Sequence, residues 1–159
     1  LTTTKYTNLT NIHLYNDKNT ITKYNSVEDI MREYSRVRLD LYKTRKEYQL
    51  KQLDSSIQII TAKCKFILDI IDDTIIIQKR SKENIQQQLL DHEYPKINDS
   101  YDYLVKLPIY TLSQEEITKL QNEKDRLQLQ HDQLSGMTIE SLWLEELQIF
   151  EKMYKKSIK

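Results

Sequence analysis

The acidic residues Asp69, Asp72 and Asp73 are the part of the sequence that comes nearest to a metal site. On a helix Asp69 shares a face with the other two, because residues three and four apart lie side by side. Carboxylate oxygens are the ligands that Mg²⁺ and Ca²⁺ prefer, but a site needs several of them. No histidine or further carboxylate joins them at ligand spacing, so we interpret the three as solvated helix charges rather than a metal site.

The other side chains that could do chemistry lack partners at a useful spacing. The three histidines lie far apart in the sequence, at His13, His92 and His131. A single glycine excludes a glycine-rich phosphate loop. No serine or threonine stands in a nucleophile elbow, and none of the eleven tyrosines has a clear activating partner. The sequence therefore predicts no catalytic, cofactor-binding or metal-binding residue in this chain.

Composition narrows the class of protein further. Basic and acidic residues each number 24, so no net charge draws the chain to nucleic acid or anionic membrane. The single cysteine, Cys64, excludes an internal disulfide and favours an intracellular protein, and its place on an apolar stripe predicts a buried thiol. We find no signal peptide and no apolar run of about 20 residues, so we expect no membrane span. The chain begins with leucine, so we expect it to be cut from a longer one.

One long helix is predicted from Ser26 to about Asp72, with Ser26 as its N-cap. Its apolar residues recur at alternating steps of three and four, which places them on one narrow stripe that needs a partner helix. The stripe changes phase around Tyr48–Leu50, as at a coiled-coil stutter. The segment Arg32–Lys51 carries many charges of both signs, a pattern typical of a solvated face, with a strip facing DNA phosphates as the alternative.

A small globular head is predicted where this helix ends. Cys64–Ile77 is the most apolar part of the chain and has apolar residues on more than one face, so it should be surrounded. Ile75–Ile77 is expected to leave the helix as an extended piece. Ser81 then caps a helix of about ten residues. A loop at Lys96–Ser100 and one or two helical turns within Tyr101–Leu107 complete the head.

A second long helix leads away from the head. Ser113–Glu116 fits a capping box, and the seam that follows carries apolar residues with Lys124 and His131 at two polar positions. Gly136 is expected to end this helix in a left-handed conformation. Thr138 then caps a last amphipathic helix.

The predicted architecture is mainly α. Two long helices in one chain pack antiparallel, so we expect a long antiparallel coiled-coil arm with a small helical head at its tip. Asn11–Tyr15 and Thr20–Tyr24 flank an Asn/Asp-rich tetrapeptide and predict a short β-hairpin at the N-terminal base, and Leu1–Thr10 is expected to be extended. The predicted boundaries are 1–25 for the base segment, 26–62 for the outgoing arm, 63–112 for the head, 113–136 for the returning arm and 137–159 for the base helix.

Five stretches of this sequence, in order, resemble eukaryote-type (type IIA) DNA topoisomerase II, in the coiled-coil region that ends in its C-terminal exit gate. They are Leu1–Thr4 with Asn11–Tyr15 and Lys23–Ile30, then Val37–Lys46, Lys65–Lys82, Asp102–Ser113 and Glu140–Phe150. The resemblance covers nearly the whole chain. The chain departs from the family pattern at Gln78–Arg80, where the family often has Asn-Lys-Pro, and in its short loop at Lys96–Ser100.

The resemblance implies part of an enzyme that cuts one duplex, passes a second through it and reseals the first, using ATP and Mg²⁺. In the family the nucleophilic tyrosine and the metal-binding carboxylates lie in upstream domains, so no residue here inherits a catalytic role. The implied partners are a second copy, joined through the heads, and duplex DNA that passes transiently through the cavity, with no membrane. The implied location is with the DNA, in the nucleus of a eukaryotic cell, or in the host cell or virion of a virus.

The residues expected to form the dimer contact lie near the predicted outer loop of the head. They are Ile97, Tyr101, Tyr103, Leu104, Leu107 and Ile109. The same residues could equally form the core of the head. The second candidate function is a non-enzymatic coiled-coil docking or scaffold module of a chromosome-associated complex, which needs the same helices and no upstream enzyme. A self-contained enzyme is disfavoured because the chain lacks a catalytic constellation.

Overall fold

The computed structural model describes Thr4 and residues 11–158, apart from the side chain of Ile109. The predicted extended segment Leu1–Thr10 lies outside the described residues except for Thr4. The elements are β1 (Ile12–Tyr15), β2 (Ile21–Tyr24), α1 (Val27–Ile71), α2 (Lys82–Asp91), α3 (Asp102–Val105), a 3₁₀ turn (Ile109–Thr111), α4 (Gln114–Gly136) and α5 (Ile139–Ser157). The prediction of a mainly helical fold with a short antiparallel hairpin is confirmed. In the described part of the chain, no helix is long and apolar enough to cross a membrane.

The predicted N-caps fix where the long helices begin. Each cap oxygen accepts a hydrogen bond from the backbone N–H three residues further on, which satisfies a donor that the helix itself leaves unpaired. The four caps are Ser26 to Asp29 (3.2 Å), Ser81 to Asn84 (3.3 Å), Ser113 to Glu116 (3.3 Å) and Thr138 to Ser141 (3.1 Å). Local sequence therefore sets these boundaries without help from tertiary packing.

The end of α4 differs from the prediction. Gly136 lies inside the helix and its φ is not positive, so the left-handed cap predicted there is wrong. The chain turns instead through extended backbone at Thr138 (φ −78°, ψ 160°), the N-cap of α5. Two residues, Met137 and Thr138, link α4 to α5, and neither has a left-handed backbone.

The chain forms two compact units. The hairpin unit comprises Leu1–Tyr48 and Met137–Lys159, and the head unit comprises Gln49–Gly136. The boundary within α1 follows Tyr48, where the sequence predicts the change of phase in its apolar stripe.

In the hairpin unit, β1 and β2 pair antiparallel and dock on the first turns of α1. The Tyr24 hydroxyl donates to the Glu33 carboxylate at 2.7 Å, and the Asp17 backbone N–H donates to the same carboxylate at 3.2 Å. Arg36 pairs with Asp17 at 3.0 Å. A two-stranded hairpin has only marginal stability alone in water, and these contacts with α1 stabilise it.

Helix α5 packs on α1 in the same unit through aromatic and charged contacts. Trp143 lies beside Tyr34 and Tyr42, with ring centroids 6.5 and 6.1 Å away. Glu146 accepts a hydrogen bond from the Tyr42 hydroxyl and pairs with Arg45 at 2.8 Å. The Tyr42 hydrogen bond, followed by Arg45, holds the pKa of Glu146 below its usual value.

In the head unit, α4 packs antiparallel on the second half of α1. His131 Nε2 lies 3.2 Å from the Asp54 carboxylate, while Ile117, near the other end of α4, is buried like Ile67 of α1. Cys64 is buried on this seam, as the sequence predicts, and desolvation raises its pKa.

The core of the head gathers apolar residues from four segments. Its buried members are Ala62, Phe66, Ile75, Leu89, Tyr94, Tyr101 and Leu104. Ile75–Ile77 lies outside the helix, as predicted, in an irregular segment that brings Ile75 into the core at 1% exposure. Burial of this cluster is the main source of stability for an irregular segment with few backbone hydrogen bonds of its own.

Several turns of the head use left-handed residues that are not glycine, and two of these turns are closed by well-defined hydrogen bonds. Glu93 (φ 57°) ends α2, where the Tyr94 N–H donates to the Leu89 carbonyl at 2.9 Å and the Glu93 N–H to the Leu90 carbonyl at 3.0 Å, a Schellman motif. Within the predicted loop, Asn98 and Asp99 (φ 49° and 56°) form a type I′ turn closed by reciprocal backbone hydrogen bonds between Ile97 and Ser100. The motif at Glu93 turns the chain so that Tyr94 points into the core.

Candidate functional site

Two of the six residues predicted for the dimer contact are buried within the chain itself. Tyr101 is 4% exposed and Leu104 is 0% exposed, and both belong to the core of the head. Tyr103 is half-buried and its hydroxyl donates to the Pro95 carbonyl at 2.7 Å. The core interpretation that the sequence left open thus accounts for the positions of these three side chains.

The other three residues have a different setting. Ile97 is half-buried beside the type I′ turn, and Leu107 is half-buried at the edge of the core. The side chain of Ile109 lies outside the described residues. Leu107 therefore packs against the core and also keeps exposed surface.

That surface is an apolar groove, with a cavity volume of about 270 Å³, which we call the head groove. Its lining comes from α1, α2, α3, the segment between α1 and α2 and the segment between α3 and α4. The lining residues are Phe66, Ile70, Ile77, Ile85, Leu104, Val105, Leu107 and Leu112. All eight are apolar, so the groove can bind apolar groups but offers no acid, base or nucleophile.

Exposed apolar side chains adjoin the head groove in sequence. Ile71, at the end of α1, is 50% exposed, and Ile76, next to the lining residue Ile77, is 45% exposed. Tyr110, in the 3₁₀ turn between Leu107 and Leu112, is 78% exposed, the highest value among the exposed large apolar residues of the described chain. Apolar residues gathered around a groove indicate an interaction surface more strongly than isolated ones do.

Side-chain hydrogen bonds hold the walls of the groove in place. Gln88 of α2 accepts from the Ile76 N–H at 3.0 Å and donates to the Ile76 carbonyl at 3.1 Å. The amide of Gln88 thus replaces the strand partner that an extended segment would otherwise need. Asp102, at the start of α3, lies 3.6 Å from Lys82 at the start of α2, and its bond to Lys106 lowers its pKa.

The buried wall behind the groove is rigid for similar reasons. Tyr94 packs edge-on against Phe66, with ring centroids 6.2 Å apart, and its hydroxyl donates to Asp69 at 2.6 Å. Burial, then the bond to Asp69, raises the pKa of Tyr94 well above its usual value. One member of the acidic triplet therefore has a structural partner in the fold.

The described residues offer no site that fits a metal ion. Between residues 11 and 158, no group of three or more His, Cys, Asp or Glu side chains is arranged to hold one.

The basic residues of α1 that could face DNA phosphates have partners within the chain. Arg32 pairs with Asp29 at 3.5 Å, and Arg36 and Arg45 pair with carboxylates of the hairpin unit. The head groove supports apolar association.

Sequence reasoning missed two residues of this surface. Tyr110 was not among the predicted contact residues, although Pro108 two residues earlier indicates a turn that could expose it. Gln88 carries no signal in the sequence, because its bond to Ile76 joins residues 12 apart on segments whose packing the sequence does not reveal.

Comparison with known proteins places this chain in a family. A family model for the A-type subunit of DNA gyrase/topoisomerase IV matches residues 1–148. The chain belongs to that family. Among curated relatives, it is 34% identical over 157 residues to DNA topoisomerase 2 of Acanthamoeba polyphaga mimivirus, a match that covers 92% of this chain and 12% of the relative. It is 31% identical over 158 residues to the mitochondrial DNA topoisomerase 2 of Dictyostelium discoideum, covering 94% of this chain and 12% of the relative.

A solved structure has the same fold. The DNA-binding, cleavage and re-ligation domain of Plasmodium falciparum topoisomerase II superposes with a TM-score of 0.83 at 24% identity, covering 97% of this chain and 25% of that one. The resemblance to topoisomerase II stated from the sequence is thus confirmed at the level of the family and the fold. The chain spans only about an eighth of the length of the two curated relatives above.

Proposed function

We propose that this chain is the dimerising exit gate of a type IIA DNA topoisomerase. Two head units, one from each protomer, meet across a two-fold axis and close the cavity that holds the transported duplex. The duplex leaves when the heads part. The observation that carries this proposal is the apolar head groove with its exposed apolar neighbours, on a chain that belongs to a topoisomerase family.

The whole enzyme would supply what these residues lack. The relatives that carry the name DNA topoisomerase 2 extend far beyond the matched region, so the cleavage chemistry, ATP and Mg²⁺ would all belong to other parts of the polypeptide. The acidic residues described here do not form a set that fits Mg²⁺. We therefore assign this chain a mechanical role within an intracellular, DNA-associated enzyme and no chemical step of its own.

The size and chemistry of the groove suit a contact that must open. A gate interface has to hold two protomers together and yet separate, so it should be small and only partly apolar. The head groove and its exposed neighbours form a limited apolar surface, and the buried core residue Tyr101 belongs to the same cluster as the lining residue Leu104. Among the candidates predicted from the sequence, Leu107 and Ile97 keep surface that a second copy could cover.

Charge supports passage of DNA rather than its retention. The chain carries 24 basic and 24 acidic residues, so it exerts no strong net attraction on a duplex that must leave. The ion pairs of Arg36 and Arg45 within the hairpin unit reduce the positive charge free to bind phosphates.

Sedimentation equilibrium of the 159-residue chain over a wide concentration range tests the proposal. We expect a reversible monomer–dimer equilibrium that Ile76→Glu weakens, because it adds a charge beside the groove. Phe150→Glu is the matched control, since Phe150 is 64% exposed but lies in the hairpin unit, and it should leave the dimer intact. A strict monomer at high concentration, or a dimer lost only in Phe150→Glu, would contradict the gate and favour the coiled-coil docking module.

A further inference from the structure

The 3₁₀ turn between α3 and α4 presents one aromatic side chain away from the core. Tyr110 is 78% exposed, while its neighbour Thr111 is buried. The Thr111 N–H and hydroxyl both donate to the Pro108 carbonyl, at 2.9 and 2.6 Å, and the proline ring fixes the backbone where the turn begins. The backbone at Tyr110 is therefore held in place before any partner arrives, which lowers the entropy cost of ordering this turn in a contact.

Two residues that line the head groove lie close to Tyr110 in the sequence. Tyr110 is three residues from Leu107 and two from Leu112, and both of these line the groove. Successive Cα atoms are about 3.8 Å apart, so the Tyr110 backbone is within roughly 11 Å of the lining. A protruding ring and an apolar hollow thus lie on one short stretch of chain.

A two-fold contact between identical chains can use this combination. In an isologous interface the same patch is used on both copies, so a protrusion on one copy must meet a hollow on the other, twice. Buried aromatic residues in pockets at the centre of an interface are the usual anchors of protein–protein contacts. Every residue that lines the head groove is apolar, which suits an aromatic ring.

Charges near the groove are also compatible with self-pairing. Exposed acidic residues, Asp72 and Asp73, follow α1, and exposed basic residues, Lys79 and Arg80, precede α2 on the same connecting segment. A two-fold arrangement can set the acidic end of one segment against the basic end of the other, whereas a patch of one sign would repel its copy.

From these observations we propose that Tyr110 of each protomer inserts into the head groove of its partner and is the principal anchor of the closed gate. This inference rests on the proposed function, because the occupant of the groove is a second copy of this chain. Tyr110 and the head groove are the residue and the pocket that hold the gate closed. Because the contact occurs twice in a two-fold dimer, the affinity of the dimer depends on the same side chain from each copy.

Sedimentation equilibrium of the wild-type chain and three variants tests the anchor. Truncation of an anchor residue costs at least about 30-fold in affinity for each copy, so Tyr110→Ala should raise the dimer dissociation constant by roughly 10³-fold. Tyr110→Phe, which keeps the ring, should stay within about 10-fold of the wild type. Leu129→Ala is the matched control, because Leu129 is 59% exposed but lies on α4 away from the groove lining, and it should change nothing.

An isotope-filtered NMR experiment on a mixed dimer identifies the pocket. One copy is labelled at methyl groups and the other is not, so that only contacts between copies are seen. We expect cross-peaks from the Tyr110 ring to methyls of Ile77, Ile85 and Leu107. Cross-peaks from Tyr110 to other methyls would overturn the inference, and so would a Tyr110→Ala dimer as tight as the wild type. In both cases the proposed function, a gate that dimerises through the heads, would still stand. A wild-type chain that does not dimerise would reject the proposed function itself, together with the anchor.

Discussion

Leu104→Ala separates a role in the core of the head from a direct role in the dimer contact. The side chain is 0% exposed and belongs to the core cluster, although the sequence makes it equally a candidate for the interface. The substitution removes three carbon groups, which costs about 2.4 kcal/mol at roughly 0.8 kcal/mol each. A residual cavity of about 40 Å³ would add about 1 kcal/mol. Because Leu104 also lines the open head groove, its surroundings can relax, and we expect a net loss of about 3 kcal/mol.

Urea unfolding followed by circular dichroism, at a concentration where the wild-type chain is monomeric, measures this loss. In thermal melts under the same conditions, the midpoint of Leu104→Ala should be about 10–20 °C lower than that of the wild type if the head unit unfolds cooperatively. Leu129→Ala is the control, since an exposed substitution on α4 should change stability by less than about 0.5 kcal/mol. The reasoning fails if Leu104→Ala unfolds like the wild type but no longer self-associates, because the side chain would then act in the interface.

Three further predictions follow from backbone geometry and charge. Glu93→Gly should stabilise the head unit by about 1 kcal/mol, because φ is 57° there and side chains are disfavoured in that region; a melt no higher than that of Glu93→Ala would count against it. Gly136→Ala should add about 0.5–1 kcal/mol, because the helix continues through Gly136 and nothing lies within 4 Å of the new Cβ; a lower melting temperature would show that glycine is needed. The hydrogen bond from Tyr42, followed by Arg45, lowers the pKa of Glu146 in the folded chain. The contribution of ionised Glu146 to folding stability is therefore fully present above the usual glutamate pKa of about 4.3, and it is lost as the pH falls through the lowered pKa of the folded chain. Urea midpoints measured from about pH 7 to pH 3 should therefore drop more steeply for the wild type than for Glu146→Gln, and parallel curves would exclude this contribution.

Much of the fold could be predicted because its determinants are local. The caps at Ser81 and Thr138 act on N–H groups three residues away, so the sequence alone reveals where those helices begin. The hairpin and the two long helices follow from the spacing of apolar residues. The left-handed residues at Glu93 and Asn98 could not be predicted in the same way, because neither turn has the glycine that usually marks such a backbone.

The surface of the head was harder to predict than its helices. An apolar residue such as Tyr101 or Leu104 can pack in the core of its own chain or contact another chain. The spacing of apolar residues in the sequence does not distinguish these two roles. Burial in the structure assigns both residues to the core. Exposure instead singles out Tyr110, whose aromatic character alone gave no reason to prefer it among eleven tyrosines.

The measurement that tests the central claim most directly is the distance between two copies of one spin label in the dimer, by double electron–electron resonance. Buried Cys64 is replaced by alanine, and a single label is placed either at Glu83→Cys in α2 or at Lys152→Cys in α5, both exposed positions. If the head units form the gate, the Glu83 label gives a short and narrow distribution of distances, which Tyr110→Ala abolishes. A short distance from the Lys152 label alone, or no coupling from either label where sedimentation shows a dimer, would contradict a gate closed by the heads.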